Sequence, residues 1–335
     1  MPEHNYRNLV HTPAELAAEY IAWAKVRHEN EGITWGVPAL DDHMIAAHPG
    51  DFCGILGRPG SGKTSLMAYL AIREAQRIKS RGRENEECVV YCTWESAAEE
   101  LANFFLAGGE NKYSVTDVAK GLIPMEDIER QALRLVTQPI FVIGQGISRS
   151  GGLGVRMTAE VVYSAIESMR ADFNIRPSLI LLDYIQIIPV KNLSERKAAM
   201  AAAPARIKEL ALRVGVPIFV GVQAARTVDD REEKIPRKSE CQWSSSVEQA
   251  CDKLIGLWRP GDTEEAGTII ELQDGSQHLV RDELLVMRKL KERNNQGRYT
   301  AVMWFEPQYL KLLALEKRNL NPPSRPDTGH WANDY

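Results

Sequence analysis

Gly57-Arg-Pro-Gly-Ser-Gly-Lys-Thr64 is a complete G-x-x-x-x-G-K-[ST] phosphate-binding loop. The sequence around it supplies the context this motif needs. Asp51-Phe-Cys-Gly-Ile-Leu56 reads as a buried strand, and Thr64 to about Lys79 reads as a helix. Glycines let backbone N–H groups curl round a triphosphate, and the helix N-terminus adds a favourable dipole. Gly57, Arg58, Pro59, Gly60, Ser61, Gly62, Lys63, Thr64 and Ser65 are therefore the nucleotide-binding candidates. Lys63 is expected to reach the β- and γ-phosphates, and Thr64 to hold Mg²⁺ through its hydroxyl. The motif predicts a protein that binds a nucleoside triphosphate.

Composition narrows the class further. The chain has 335 residues, 44% of them hydrophobic, enough for a large core. No apolar run approaches the ~18 residues of a membrane span, and Met1-Pro-Glu-His-Asn-Tyr-Arg7 lacks the apolar stretch of a signal peptide. Five cysteines (Cys53, Cys88, Cys92, Cys241 and Cys251) form no C-x-x-C pair and fall mostly in apolar runs. They read as buried reduced thiols of a cytoplasmic protein. The seven histidines are scattered and suggest no metal site. A net charge of −4 argues against a surface that coats duplex nucleic acid, yet leaves room for a basic channel assembled from several subunits.

Residues 1–30 form an N-terminal segment with one short helix, opened by a capping box at Thr12-Pro-Ala-Glu15. Leu16, Tyr20 and Trp23 then fall at helical spacing, so this helix docks either on its own domain or on a neighbouring subunit. From 31 to 315, strands and helices alternate, which predicts an α/β core: a mostly parallel twisted sheet flanked by helices. Strands are expected at Cys88–Cys92, Ile140–Ile143, Leu179–Leu182 and Ile218–Val222, with helices at Ala97–Leu106, Pro124–Val136, Thr158–Asp172 and Ser194–Val214. Residues 224–245 read as a mobile polar loop, and the glycines from Gly144 to Gly154 as a plain surface loop. Strands near Lys253–Trp258, Glu283–Met287, Thr300–Trp304 and Leu310–Leu315 have little helix between the last ones, which predicts antiparallel strands at the C-terminal edge. Residues 316–335 read as a flexible tail.

Four further features bear on chemistry. Leu179-Ile-Leu-Leu-Asp183 delivers a carboxylate at the end of an apolar strand, where an ATPase of this kind coordinates Mg²⁺. Glu95, in Tyr91-Cys-Thr-Trp-Glu95, either orients and deprotonates an attacking water or simply favours a helix start. Gln223 ends the strand Ile218–Val222; it either senses the γ-phosphate or is a polar residue leaving a buried strand. Arg288-Lys-Leu-Lys-Glu-Arg293 is either a solvated strand end or a set of cations inserted into a neighbour's active site.

These motifs together resemble the C-terminal ATPase domain of the DnaB-type replicative helicases, within the RecA-like P-loop NTPases. Gly36-Val-Pro-Ala-Leu-Asp41 followed by Pro49-Gly-Asp51 is similar to that family's approach to the phosphate loop. Thr93-Trp-Glu-Ser-Ala-Ala-Glu-Glu-Leu101 resembles the segment carrying its catalytic glutamate, and Asp183-Tyr-Ile-Gln186 resembles its Asp-Tyr-Leu-Gln. Gln223-Ala-Ala-Arg-Thr-Val-Asp-Asp-Arg231 looks like the sensor glutamine and the loop beyond it. Ser246-Val-Glu-Gln-Ala-Cys-Asp252 is similar to Ser-Ile-Glu-Gln-Asp-Ala-Asp, and Lys291-Glu-Arg-Asn294 to Lys-Gln-Arg-Asn. The matches run collinearly from about Gly32 to Ala314.

The resemblance implies ATP and Mg²⁺ as cofactors, with Lys63, Glu95, Asp183, Gln223, Lys291 and Arg293 as the catalytic set. It implies a hexameric ring with ATP at each subunit boundary, Lys291 and Arg293 acting in the adjoining site, and single-stranded DNA threading the centre, translocated 5′ to 3′. A helicase loader or another replication partner is implied, and no membrane. The segment Thr12–Arg27 matches the family's linker helix in position. Two departures stand out. The family's N-terminal collar, which recruits primase, has no counterpart, so primase binding does not carry over. The family's DNA-contacting Arg-Glu-Ser-Gly reads Gln242-Trp-Ser-Ser245 here. Arg226, Gln242, Trp243, Ser244 and Ser245 remain the DNA-binding candidates, with backbone N–H groups for phosphate and Trp243 for base stacking. The alternatives are a RecA-like clamp or filament that binds DNA without unwinding it, and a regulatory ATPase that binds no nucleic acid.

Overall fold

Apolar runs become strands and amphipathic runs become helices in the order the sequence predicts. The computed structural model describes residues 10–29, 31–94, 96–110, 113–144, 157–185, 196–241 and 245–315. Helices α1 (Pro13–Glu29) and α2 (Pro38–Asp41) precede β1 (Phe52–Gly57) and α3 (Lys63–Ser80). Then come β2 (Glu87–Thr93), α4 (Ala98–Glu110), α5 (Val115–Ala119), α6 (Met125–Leu135), β3 (Ile140–Ile143), α7 (Ala159–Phe173) and β4 (Arg176–Asp183). The chain continues through α8 (Arg196–Val214), β5 (Ile218–Gln223), α9 (Ser245–Ala250), β6 (Lys253–Trp258) and the strands β7 (Ile269–Glu271) and β8 (Gln277–Leu279). It closes with β9 (Leu284–Glu292), β10 (Thr300–Glu306) and β11 (Lys311–Ala314).

Nine of these strands form one sheet in the order β11-β10-β9-β6-β1-β5-β4-β2-β3. The pairs from β6 to β3 are parallel, and β9, β10 and β11 add the predicted antiparallel edge. Successive side chains on a strand face opposite sides, so a strand covered on both faces must be apolar throughout. That is the pattern of β1, β2, β4 and β5. Cys53, Ile55, Val89, Tyr91, Leu179, Leu181 and Phe219 pack with α3 and α4 on one face. Phe52, Leu56, Cys88, Val90, Ile180, Leu182, Ile218 and Val220 pack with α7 and α8 on the other. The Asp41 carboxylate accepts from Trp35 N at 2.7 Å and Val37 N at 3.0 Å, which folds Gly36–Asp41 under the sheet. Trp35 meets Phe219 edge-on there, with ring centroids 4.8 Å apart.

Several elements differ from their predicted form. The strand expected at Glu283–Met287 runs on to Glu292, so the basic stretch lies within β9 except for Arg293. Arg288 and Lys289 are buried rather than solvated, because Glu233 and Glu292 neutralise them. Residues 224–241 are folded down instead of loose. Ala224 bridges Cys241, Ala225 N donates to Glu240 O at 2.8 Å, and Val228 and Ile235 are buried. The hairpin β7–β8 and helix α5 are additional elements. Asp274-Gly275 marks the hairpin turn in the sequence, but its flanks of three residues are too short to stand out as strands. The glycine loop from Gly146 to Gly154 and the tail 316–335 lie outside the described residues.

Helix α1 opens with the predicted capping box, Glu15 N donating to Thr12 Oγ1 and Thr12 N to the Glu15 carboxylate. It has no buried residue, and Leu16, Tyr20, Ile21 and Trp23 are all more than half exposed. Of the two docking alternatives, its own domain is therefore not where this apolar stripe rests. All five cysteines are unbridged and buried. Burial pushes the Cys88 and Cys241 thiols up to about 12, which disfavours the nucleophilic thiolate.

Candidate active site

Strand register assembles the site. Gly57 on β1 is the partner of Gln223 on β5, and Thr93 on β2 is the partner of Asp183 on β4. Because β1, β5, β4 and β2 are parallel neighbours, all four residues fall at the carboxyl edge of the sheet, where α/β folds bind ligands. The phosphate loop leaves β1 at that edge. Gly62 sits at the N-terminal cap of α3 with φ +86°, a left-handed conformation that favours glycine, and no side chain caps the helix. A Cβ on Gly57 would lie 2.2 Å from Ser61 Oγ, so the loop closes this tightly only with glycine there. The 18-residue α3 thus offers uncapped N–H groups and its dipole to an anion. Lys63 Nζ lies over the loop, donating to Gly57 O at 2.9 Å and Arg58 O at 2.7 Å.

Thr64 Oγ1 donates to Asp183 Oδ2 at 2.7 Å. A hydroxyl and a carboxylate this close, beside a phosphate loop, are the hard oxygen donors Mg²⁺ takes together with phosphate oxygens and water, so the donor set fits the ion. The cavity between them is about 420 Å³ and is lined by the phosphate loop, Asp183, Tyr184 and Gln223. Behind Asp183 stands a residue the sequence reading missed. Tyr91 is fully buried and donates its hydroxyl to the same Asp183 oxygen at 3.2 Å. Burial first, and the Asp183 charge second, push its phenol well above the usual tyrosine range. It is therefore a permanent donor that holds the carboxylate in place. Tyr91→Phe is expected to raise the Mg²⁺ concentration needed for half-maximal binding of a fluorescent ATP analogue by about tenfold. The thermal midpoint should fall by only a few degrees. An unchanged Mg²⁺ requirement would count against this role.

The remaining predicted residues divide by position. Glu95 lies outside the described residues, but its flanks are held: Trp94 Nε1 donates to Met157 O at 2.8 Å, and Ser96 N to Thr93 Oγ1 at 3.2 Å. Arg58 reaches away from the cavity to Asp229 and Ala224 O. Arg226 is exposed at the start of a single 3₁₀ turn, close in sequence to Gln223. Gln242, Trp243 and Ser244 lie outside the described residues, and Ser245 begins α9. Cys241, just before them in the chain, is bridged to Ala224, the residue that follows Gln223 of the nucleotide cavity.

Lys291 and Arg293 do not join the cavity of their own chain. Lys291 Nζ donates to the carbonyls of Glu248 and Cys251, closing the C-terminal end of α9, and burial there lowers its pKa. Arg293 is half exposed, with Nη1 3.4 Å from Asp252 Oδ1 and its N–H bonded to Asp252 O at 3.0 Å. β9 runs antiparallel to β6, and Lys253 at the start of β6 is level with Cys53, whereas the phosphate loop begins beyond Gly57. The two cations are thus separated from their own phosphate loop by roughly 10 Å or more of strand.

The DnaB-like helicase C terminal domain family matches residues 32–312. A replicative DNA helicase DnaB of Rickettsia bellii is 24% identical over 308 residues, covering 86% of this chain and 58% of that protein. The chain thus spans a little over half the length of this relative. Among solved structures, one described as an ATPase domain superposes with a TM-score of 0.68 at 18% identity, covering 90% of this chain and 98% of that one. A DnaB-like replicative helicase, described with its interactions with primase, gives the same TM-score at 17% identity and covers 90% of this chain and 66% of its own. At these identities the superpositions speak for the fold alone, a mostly parallel sheet flanked by helices.

Proposed function

Because this chain belongs to the DnaB-like helicase C terminal domain family, we propose that it is the ATP-hydrolysing motor of a ring that translocates on single-stranded DNA and unwinds duplex DNA in replication. The observation that carries this reading is the split of the catalytic groups. Lys63, Thr64, Asp183 and Gln223 converge on one cavity, while Lys291 and Arg293 sit at the opposite end of the sheet. A head-to-tail ring places one subunit's far end against the next subunit's cavity, which completes the site. The exposed stripe Leu16, Tyr20, Ile21 and Trp23 on α1 supports the same assembly, since it needs a neighbouring copy for cover.

Within such a site, Lys63 leaves the carbonyls of Gly57 and Arg58 for the β- and γ-phosphate oxygens of ATP. Thr64 and Asp183 are the residues that hold Mg²⁺, which when bound neutralises phosphate charge. Glu95 takes the proton of the attacking water, and Arg293 of the adjoining subunit stabilises the charge on the transferring phosphoryl group. Gln223, at the root of residues 224–241, links the γ-phosphate to the segment that approaches DNA. The substitution of the family's phosphate-binding Arg by Gln242 favours one second reading: a RecA-like clamp that grips DNA without unwinding it.

Unwinding of forked duplexes separates the two. With ATP and Mg²⁺, strand displacement is expected on a fork with a free 5′ tail and not on one with only a 3′ tail. A Glu95→Gln variant, run alongside, should bind ATP and displace nothing. DNA-stimulated hydrolysis without displacement on either fork would favour the clamp. Hydrolysis indifferent to DNA would sink both.

A further inference from the structure

We propose that Arg58 is a positioning residue: it sets residues 224–241, with Gln223 at their root, on the phosphate loop, so that loading of Lys63 with a triphosphate is passed to that segment. The inference rests on the ATP-driven reading above and adds to it a connection that bypasses the Gln223 side chain.

The contacts are specific. Arg58 Nε lies 3.0 and 3.1 Å from the two carboxylate oxygens of Asp229, and its Nη2 lies 2.9 Å from Oδ2. Its Nη1 donates to Ala224 O at 3.0 Å. One planar guanidinium therefore spans the first residue after β5 and a carboxylate in the next turn, a geometry that a lysine ammonium cannot reproduce. The backbone adds a second tie, since Ala224 N donates to Gly57 O at 3.0 Å. Gly57 O is the acceptor that Lys63 Nζ also occupies, and Lys63 holds Arg58 O as well. When Lys63 turns to a triphosphate, both carbonyls lose a donor at the peptide that carries the Arg58 side chain. Gly57 O is then left to Ala224 N, and that bond strengthens. With Arg58 clamped on Asp229, residues 224–241 follow the phosphate loop as one body and close down on it. Ala224, tied to the phosphate loop, is also bridged to Cys241, the last residue of that body and the one that precedes the candidate DNA residues in the chain.

Arg226 and Arg231 lie within this segment, so trypsin reads its closure directly. The full chain is digested with and without AMP-PNP and Mg²⁺, and cleavage after each arginine is followed by mass spectrometry. In the parent protein AMP-PNP is expected to slow both cleavages by about fivefold, the size of a typical net hydrogen-bond contribution, gained as the Ala224 N–Gly57 O bond strengthens. Asp229→Ala, an exposed position outside the nucleotide cavity, should bind AMP-PNP with unchanged affinity, be cleaved faster, and lose the dependence on nucleotide. Asp229→Glu should restore part of it. An Asp229→Ala protein that keeps its nucleotide-dependent protection overturns the role of Arg58. So does a parent protein that binds AMP-PNP with no change in cleavage. Failure of the parent protein to bind AMP-PNP at all overturns the ATP-driven reading with it.

Discussion

Lys63→Ala is expected to weaken ATP binding by about a thousandfold and to reduce hydrolysis to background. The magnitude follows from charge placement. An ammonium about 4 Å from a phosphate charge contributes roughly 4 kcal/mol at the effective dielectric of a partly exposed site. At about 1.4 kcal/mol per decade, that is close to three orders of magnitude in affinity. The uncapped N-terminus of α3 remains in the variant and retains some attraction for phosphate, so weak residual binding is expected. Folding is affected far less. Lys63 is partly buried over the loop, with its ammonium on the Gly57 and Arg58 carbonyls, whereas the core on either side of β1 is untouched. Titration of a fluorescent ATP analogue, with the thermal midpoint measured alongside, separates the two effects. A dissociation constant within a few fold of the parent would remove Lys63 from the phosphate site.

The parts of this site that were legible in the sequence are those encoded over short distances. The phosphate loop declares itself within a few residues, because its glycines and lysine are required by one local geometry. Asp183 and Gln223 could be marked because an apolar run that stops at a polar residue has only one edge of a parallel sheet to stop at. Their partnership was not legible, since it depends on which strands become neighbours. Tyr91 shows the limit best. Inside Cys88–Cys92 it reads as one more β-forming aromatic, and nothing local says that its hydroxyl meets Asp183. Arg58 is similar: Asp229 lies 171 residues away in a stretch that reads as loose and polar, and it is the pairing that folds that stretch down. β9 was predicted too short for the same reason. Arg288 and Lys289 break an apolar pattern, and only the approach of Glu233 and Glu292 makes them tolerable in a buried strand.

Arg293→Ala is the variant that tests assembly and chemistry at once. Alone it should hydrolyse ATP at least about a hundredfold more slowly than the parent, while binding ATP normally, because a transition-state cation in phosphoryl transfer contributes that much or more. Normal binding is expected because Arg293 stands beside Asp252, far along β6 from its own phosphate loop. Loss of its Asp252 contact is a minor cost, since Lys208 Nζ still meets that carboxylate at 2.6 Å and Phe52 N still donates to it. The decisive measurement mixes Arg293→Ala with Lys63→Ala subunits. Each is inactive alone. In mixed rings, a boundary with an intact Lys63 on one side and an intact Arg293 on the other is whole. Equal mixing makes about a quarter of the boundaries whole if subunits assort at random, so about that fraction of parental hydrolysis should return. A residue acting in its own chain gives no recovery at any ratio, because no subunit in the mixture carries both groups. Recovery therefore establishes that the far end of one sheet completes the nucleotide cavity of the next, whereas its absence returns Arg293 to a structural role beside Asp252.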